Sequence, residues 1–132
     1  MRVPLIVSVP GVKPGRSPSI VELIDLYPTL EELAGLRIPD SVQGTSLLPV
    51  LRDPKREVKA GALSFAKGTS WRTPGWAYMR YPDGTQELYD MQNDPGQFTN
   101  LAKDSSHAET LKTMADGLSK RLKDADLKPK YP

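Results

Sequence analysis

The chain of 132 residues contains no cysteine and a single histidine, His107. The absence of cysteine excludes disulfide bonds, thiolate metal ligands and a cysteine nucleophile among these residues. A zinc site or a histidine-based triad would need His107 beside further ligands or beside a nucleophile. Because His107 lies at the polar start of a helical pattern, we interpret it as a surface histidine.

Long apolar runs and a strong net charge are missing too. No run approaches the roughly 20 residues that cross a bilayer, and the first residues lack the small-residue cleavage site of a signal peptide. The formal net charge is only +2, and acids interrupt the basic tail at 120–132. We therefore expect neither a nucleic-acid nor a membrane partner.

The first half of the chain has the pattern of an α/β layer. Residues 3–9, "VPLIVSV", are continuously apolar and predict a buried strand of a parallel sheet. In "VELIDLYPTLEELAG" one helical face is apolar, with Asp25 as the expected N-cap and Gly35 as the stop. A second short helix is expected in "SLLPVL". The polar stretch "RDPKREVK", 52–59, is the best candidate for a subdomain boundary.

The second half has the pattern of a small α+β unit. Three short strands are expected in "GALSFA", "SWRTPGWAYMRY" and "TQELYD", with a Pro-Asp-Gly turn at 81–84. A terminal helix follows, with Ser106 and Glu109 as its capping box. Its apolar stripe, expected to cover the sheet, is formed by Leu111, Met114, Leu118 and Leu122.

The dense stretch "ELYDMQNDPGQFTNLA", 87–102, fails as a calcium-binding EF-hand loop. Counted from Asp90, Pro95 stands at the glycine position and Leu101 at the glutamate position. We interpret Asp94-Pro95-Gly96 as a turn that leads into a short helix around 98–101. The string "SFAK", 64–67, matches S-x-x-K without its companion motifs and is a chance match.

The most site-like loop is "AKGTSWRTPGW", 66–76. Its candidate substrate-binding residues are Lys67, Trp71, Arg72 and Trp76, because cations bind anionic groups and indole faces pack on flat substrates. The alternative is a loop whose tryptophans cover the sheet. No catalytic constellation and no metal-ligand set is apparent in the sequence.

Three ordered stretches carry a family resemblance: "RVPLIVSVPG", "VELIDLYPTLEELAGLRIPDSVQGTSLLPVL" and "WAYMRYPDGTQELYDMQNDPGQFTNLA". Together they resemble the C-terminal part of the sulfatases, most of all bacterial enzymes of the iduronate-2-sulfatase and choline-sulfatase type. The resemblance implies an α/β fold, namely the C-terminal part of an alkaline-phosphatase-like sulfatase fold. Residues 1–52 would end its central domain with one strand plus helices. Residues 53–132 would form a small α+β subdomain, a short antiparallel sheet covered by the C-terminal helix.

The resemblance also implies hydrolysis of sulfate esters by a formylglycine and a bound calcium ion in the full-length enzyme. The nearest string to the C/S-x-P-S/A-R nucleophile motif is "RSPSI", 16–20, which has Arg16 and Ile20 at the two defining ends. We therefore expect no catalytic residue or cofactor in this chain, and no activity of the chain alone.

The resemblance further implies partners for this chain. A sulfatase domain N-terminal to it would be one, and a sulfated small molecule or sulfated carbohydrate would be the substrate of the whole enzyme. Met1 would then be an internal methionine of a longer chain, or the start of a gene fragment. A periplasmic or secreted location would suit the full-length enzyme.

Two alternatives stay open at this point. One is a non-catalytic binding or interaction module that folds alone. The continuous apolar strand expected at 3–9 speaks against it, since such a strand needs neighbours on both sides. The other is a fragment of a related hydrolase that acts on phosphate or phosphonate esters.

Overall fold

The computed structural model describes residues 3–126. In chain order its elements are a 3-10 helix (Leu23–Asp25), α1 (Leu26–Leu33), α2 (Leu48–Arg52), β1 (Ala62–Phe65), β2 (Thr69–Arg72), β3 (Trp76–Arg80), β4 (Gln86–Asp90), a second 3-10 helix (Ser105–His107) and α3 (Ala108–Asp124). None of the helices in this described part is long and apolar enough to cross a membrane.

The chain forms two compact units. The first takes in the residues up to Ser19 together with Ile24–Val58, and so contains α1 and α2. The second takes in Ile20–Leu23 and the residues from Lys59 onward, and so contains the sheet and α3. The expected domain division at 52 and 53 concerns the whole enzyme and stays a prediction.

The strand expected at residues 3–9 is absent, and that prediction is wrong for this chain. The segment has no regular secondary structure, and Val3, Leu5 and Ile6 are exposed. A parallel strand exists only through hydrogen bonds to neighbouring strands. The four strands of the described chain all belong to the second unit's own sheet, so the apolar pattern at 3–9 has nothing to pair with.

Helix α1 leaves large apolar side chains exposed beside a buried polar contact at its start. Asp25, Pro28 and Thr29 are buried, whereas Tyr27 is 51% exposed and Leu30 is 64% exposed. Asp25 stands at the expected N-cap position, but its side chain does not cap the helix. The carboxylate instead accepts a hydrogen bond from the backbone N–H of Thr45, with a distance of 2.9 Å to Oδ1.

Thr29 completes this buried polar contact. Its hydroxyl donates to the backbone carbonyl of Asp25, and its Oγ1 accepts from the N–H of Leu47 at 2.8 Å. The contact fixes the chain that leads into α2, the short helix expected from the sequence. At the other end of α1, Gly35 has a φ of +70°, which confirms the expected stop.

The second unit is a four-stranded antiparallel sheet in the order β1-β2-β3-β4. The sequence predicted three strands, and the long middle one is in fact β2 and β3. Pro74 and Gly75 turn the chain there, and the hydroxyl of Thr73 accepts a hydrogen bond from the N–H of Trp76. The turn expected at 81–84 is confirmed, with Gly84 at φ +85°.

The main core lies between one face of this sheet and α3. Trp71, Tyr78 and Leu88 are aligned across three neighbouring strands and are buried. Met114, Leu118 and Leu122 of α3 pack against them with at most 5% of each side chain exposed, and Leu111 packs at the edge. The predicted stripe and the predicted covering helix are therefore confirmed.

The start of α3 differs from the expected capping box. Asp104 caps the 3-10 turn that precedes the helix, because its carboxylate accepts from the N–H of Ser106 at 2.9 Å. Ser106 thus lies inside the turn, and the capping-box prediction is wrong. The carboxylate of Asp104 thus takes the capping role two residues earlier, at the start of the 3-10 turn.

The short helix expected around 98–101 is absent, and that prediction is also wrong. Asn100 instead pairs with the outer edge of β4: its side-chain oxygen accepts from the N–H of Leu88 at 3.1 Å, and its amide group donates to the carbonyl of Gln86. Leu101 adds a backbone bond to Leu88. Phe98, in the same segment, is 91% exposed.

Candidate functional site

The two candidate tryptophans belong to the core of the second unit. The indole of Trp71 is only 8% exposed and packs against α3, where a Cβ atom on Gly117 would lie 3.0 Å from its Nε1. Trp76 is half-buried and packs on the edge of the same core. For these two residues the structure shows the alternative interpretation, in which the tryptophans cover the sheet.

The two candidate cations lie apart from the tryptophans and from each other. Lys67 is exposed in the turn between β1 and β2, and Arg72 ends β2. The four residues of β2 separate them by about 10 Å, and Arg72 points to the face opposite Trp71 because strand side chains alternate. The four candidates therefore do not line one pocket within this chain. Their contact with a substrate stays a prediction for the whole enzyme.

The face of the sheet that Arg72 shares carries a second apolar cluster. Ala77, Tyr89 and Met91 are buried there, and Met79 packs beside them. Burial, and after it the nearby carboxylate of Glu87, raises the pKa of the Tyr89 phenol. Tyr89 is therefore a neutral packing residue at physiological pH.

His107 takes part in a local cluster with Asp104 and Ser106. Its Nδ1 lies 3.0 Å from the Ser106 hydroxyl and 3.3 Å from Asp104 Oδ2, and its ring meets Trp76 edge-on with centroids 5.7 Å apart. A hydrolytic triad uses both ring nitrogens, one toward the nucleophile and one toward the carboxylate. Here both partners approach the same nitrogen, so the cluster orders the helix start and cannot relay a proton.

Asp90 is an example of a carboxylate that serves a turn. Asp90 accepts from the side chain of Asn93 at 2.7 Å and from two backbone N–H groups, and these bonds lower the pKa of its carboxyl below the ordinary value. Within residues 3–126, no three histidine or acidic side chains come together as a metal site would require. The calcium and formylglycine that the resemblance implies stay predictions for the full-length enzyme, and no catalytic step is assigned to the described residues.

One open groove lies in the first unit. It has a volume of about 350 Å³ and is lined by Gly11, Val12, Lys13, Pro14, Leu51, Arg52 and Pro54. Two of these residues are exposed cations, Lys13 and Arg52. This groove was not predicted from the sequence, although the short basic stretches "KPGR" and "LRDPKR" are its signal.

Comparison with known proteins identifies the class first. The chain has the α/β fold of the C-terminal part of an alkaline-phosphatase-like sulfatase. It is similar, for example, to the phosphonate monoester hydrolase from Silicibacter pomeroyi, with a TM-score of 0.75 and 24% identity over 89% of this chain and 28% of that one. At this identity the likeness shows the fold alone.

The family follows from the sequence. The chain belongs to the family described as N-sulphoglucosamine sulphohydrolase, C-terminal, whose model matches residues 1–124. It is 35% identical over 118 residues to human arylsulfatase K, covering 76% of this chain and 22% of that protein. It is 35% identical over 141 residues to the Delta 4,5-hexuronate-2-O-sulfatase of Bacteroides thetaiotaomicron, covering 92% of this chain and 29% of that protein.

These matches confirm the resemblance to the C-terminal part of a sulfatase. The chain spans about a quarter of the length of the two curated relatives. Because one relative is human and the other bacterial, the narrower expectation of a bacterial iduronate-2-sulfatase type is supported only in part.

Proposed function

We propose that this chain works as the C-terminal part of a sulfatase that hydrolyses sulfate esters of carbohydrates. The observation that carries the proposal is the family match over residues 1–124, joined to relatives of about 35% identity that are sulfatases. The family description and the bacterial relative both name sulfated sugars, an N-sulfated glucosamine and a 2-O-sulfated hexuronate. As the narrower proposal for the substrate, we name a sulfated uronic acid unit, which is the iduronate-2-sulfatase type.

The exposed apolar surface of the first unit supports a large partner. Tyr27 and Leu30 on α1 expose hydrophobic area, and so do Val3, Leu5 and Ile6 in the extended segment. Covering an exposed apolar side chain stabilises a protein by about 1.5–3 kcal/mol. The proposed cover is the N-terminal sulfatase domain, against which residues 3–9 would gain the neighbouring strands that they lack here.

The residues present suggest different roles for the N-terminal domain and for this chain. The N-terminal domain would supply the formylglycine and the calcium ligands, and the ion would polarise the sulfate group. This chain would complete the fold, and its exposed Lys67 would offer a positive charge to an anionic substrate. Arg72 is the second cation of the predicted contact, on the opposite face of β2 from Trp71.

A comparison of two proteins tests the proposal. The chain alone, assayed on 4-nitrophenyl sulfate with calcium, is expected to show no turnover. A longer protein that carries this chain behind an N-terminal sulfatase domain is expected to turn the ester over and to lose activity when its formylglycine precursor is replaced by alanine. Turnover by the chain alone would contradict the proposal.

Two other functions give different results in the same experiments. A phosphonate or phosphate ester hydrolase would prefer 4-nitrophenyl phenylphosphonate or the phosphate ester to the sulfate. The 24% identity to a phosphonate hydrolase supports the shared fold only, whereas the more similar curated relatives are sulfatases. A free-standing binding module would give a monomeric chain with one cooperative unfolding transition and no gain from an N-terminal domain.

A further inference from the structure

The groove in the first unit is the centre of a concentrated basic surface. Two segments, 11–16 and 51–56, lie side by side, since a Cβ atom on Gly15 would come within 2.9 Å of Cγ of Pro54. The hydroxyl of Ser19 also donates to the backbone carbonyl of Arg56. The groove between the two segments has cations on both walls, Lys13 on one and Arg52 on the other.

The charge of these two segments is unusual for this chain. Their twelve residues carry five exposed cations and one carboxylate, which gives a net charge of +4 where the whole chain carries +2. The five cations are Lys13, Arg16, Arg52, Lys55 and Arg56. None of them forms a salt bridge within residues 3–126. Glu57 follows as the nearest further acid in sequence.

The backbone beneath these cations is held in place before any ligand arrives. Gly11 has a φ of +79° in a turn that the Val12-to-Val9 hydrogen bond closes. The one carboxylate, Asp53, accepts from the backbone N–H of Lys55 at 3.1 Å. It therefore serves the turn after α2. Local hydrogen bonds thus order parts of both segments in the absence of a ligand, and such preorganisation favours affinity.

The lining indicates which kind of polyanion fits. None of the seven lining residues is aromatic, and single-stranded nucleic acids bind through aromatic side chains that stack on bases. No large hydrophobic side chain is exposed in the two segments, although interfacial membrane binding relies on inserted apolar groups. A sulfated sugar chain needs neither. Its separate oxyanions suit separate lysines and the forked donors of arginine.

From this juxtaposition we propose that the surface around Lys13 and Arg52 binds a sulfated polysaccharide chain. This inference rests on the proposed function, because it assigns the enzyme a polymeric form of the same substrate class. The groove holds sulfated units of the chain and raises the local concentration of the unit to be hydrolysed.

The test uses a fluorescently labelled heparin octasaccharide as the probe and measures its Kd for the full chain. The variant is Lys13→Gln/Arg52→Gln. The matched control is Lys120→Gln/Lys123→Gln, two exposed lysines of α3 that lower the net charge equally. We expect Kd to rise fivefold or more in the groove variant and less than twofold in the control. An equal rise in both would overturn the proposal.

The salt dependence of Kd and the binding of other polyanions test the assignment to a sulfated glycan further. The slope of log Kd against log salt is expected to fall by about 1–2 in the groove variant, since each charge neutralised on a nucleic acid contributes about 0.7–0.9. Desulfated octasaccharide is expected to bind at least tenfold more weakly than heparin. Equal or tighter binding of oligothymidylate, or of vesicles with phosphatidylserine, would overturn the assignment to a sulfated glycan.

A second variant and an activity measurement separate this proposal from the proposed function. Lys55→Gln/Arg56→Gln is expected to weaken heparin binding as well, since these cations extend the same surface. In the longer enzyme, both groove variants are expected to leave turnover of 4-nitrophenyl sulfate unchanged and to slow turnover of a sulfated polymer. If the longer enzyme bound heparin through the groove but had no sulfatase activity, the proposed function would be contradicted while the groove would still be a heparin-binding site.

Discussion

The carboxylate of Glu22 lies 2.7 Å from Nζ of Lys59, and about nine-tenths of both side chains is buried. The other carboxylate oxygen of Glu22 accepts from the backbone N–H of Leu63 at 2.8 Å. Residues 20–23 are thereby attached to the start of β1, although they stand about forty positions earlier in the chain. This explains why they belong to the second compact unit while the residues on either side belong to the first.

Replacing Glu22 by alanine should destabilise the second unit strongly. The substitution leaves the ammonium of Lys59 buried without this carboxylate and removes the acceptor of the Leu63 N–H. We expect the free energy of unfolding in urea to fall by about 2–4 kcal/mol, toward the lower part of the range for buried pairs. The control is Asp40→Ala, which removes the exposed pair with Arg37 and should cost less than about 1 kcal/mol.

Because Gly117 lies against Trp71, replacing this helical glycine by alanine should destabilise the protein. Alanine inside a helix is favoured over glycine by about 1 kcal/mol, yet here the added Cβ would lie 3.0 Å from the indole nitrogen. The indole is also close to Gly61, where an added Cβ would lie 2.7 Å from its Cζ2, so the ring has little room to move.

Gly117→Ala should therefore lower stability by about 1–2 kcal/mol in spite of its helix propensity. Ser119→Ala, on the exposed side of α3, is the control and should raise stability slightly. Differential scanning calorimetry of the two variants measures both effects. A more stable Gly117→Ala protein would show that the indole can move.

The hydroxyl of Thr29 should matter for the stability of the loop before α2. Thr29→Val keeps the side-chain shape but leaves the N–H of Leu47 buried without its acceptor, which costs about 1–3 kcal/mol. We expect faster hydrogen exchange at the Leu47 amide, measured by NMR. Thr113→Val on the exposed side of α3 is the control and should leave that amide unchanged.

The 3-10 turn before α3 should loosen in acid. Hydrogen bonds from the side chain and backbone of Ser106, and after them His107, hold the pKa of the Asp104 carboxyl below its ordinary value of 3.8. Because the folded-state pKa is the lower one, the stabilisation is present above the ordinary value and is lost as the pH falls through the folded-state pKa.

The chemical shift of the Ser106 amide reports this transition in an NMR titration. Asp104→Asn should abolish the acid-dependent shift change, because an amide oxygen does not titrate. If the transition persisted unchanged in this variant, another group would have to be its source.

Lys67 gives a prediction about substrate contact. In a longer, active enzyme, Lys67→Ala should raise KM for a sulfated disaccharide severalfold and leave kcat nearly unchanged, because the lysine is expected to bind the substrate without touching the reacting bond. Lys103→Ala, another exposed lysine outside the candidate loop, is the control. Equal KM values for the two variants would remove Lys67 from the candidate site.

Local signals predicted much of the second unit. The apolar stripe of α3 and the Pro82-Asp83-Gly84 turn depend on residues close in sequence, and both are present. The number of strands was wrong because Pro74 and Gly75 interrupt a strong alternating pattern. The helix predicted at 98–101 was wrong because Asn100 pairs with β4. Such a pairing between distant residues leaves no periodic signal in the sequence.

The first unit was harder to predict for a different physical reason. An apolar pattern predicts that a surface will be covered and says nothing about which chain covers it. The pattern at 3–9 and on α1 therefore suggested a strand and a buried face, which the chain alone does not form. The candidate site was also only partly predictable, because a tryptophan in a strand looks the same in sequence whether it meets a ligand or the core.

The pairing of Asn100 with β4 has a consequence for how this chain would self-associate. With the N–H of Leu88 and the carbonyl of Gln86 engaged by one side chain, that border of the sheet offers little to an incoming strand. The opposite border, β1, has the Glu22 carboxylate on Leu63 but carries an exposed Phe65. Intermolecular strand addition should therefore be one-sided and stop at dimers joined through β1, and a charged residue at position 65 should prevent it.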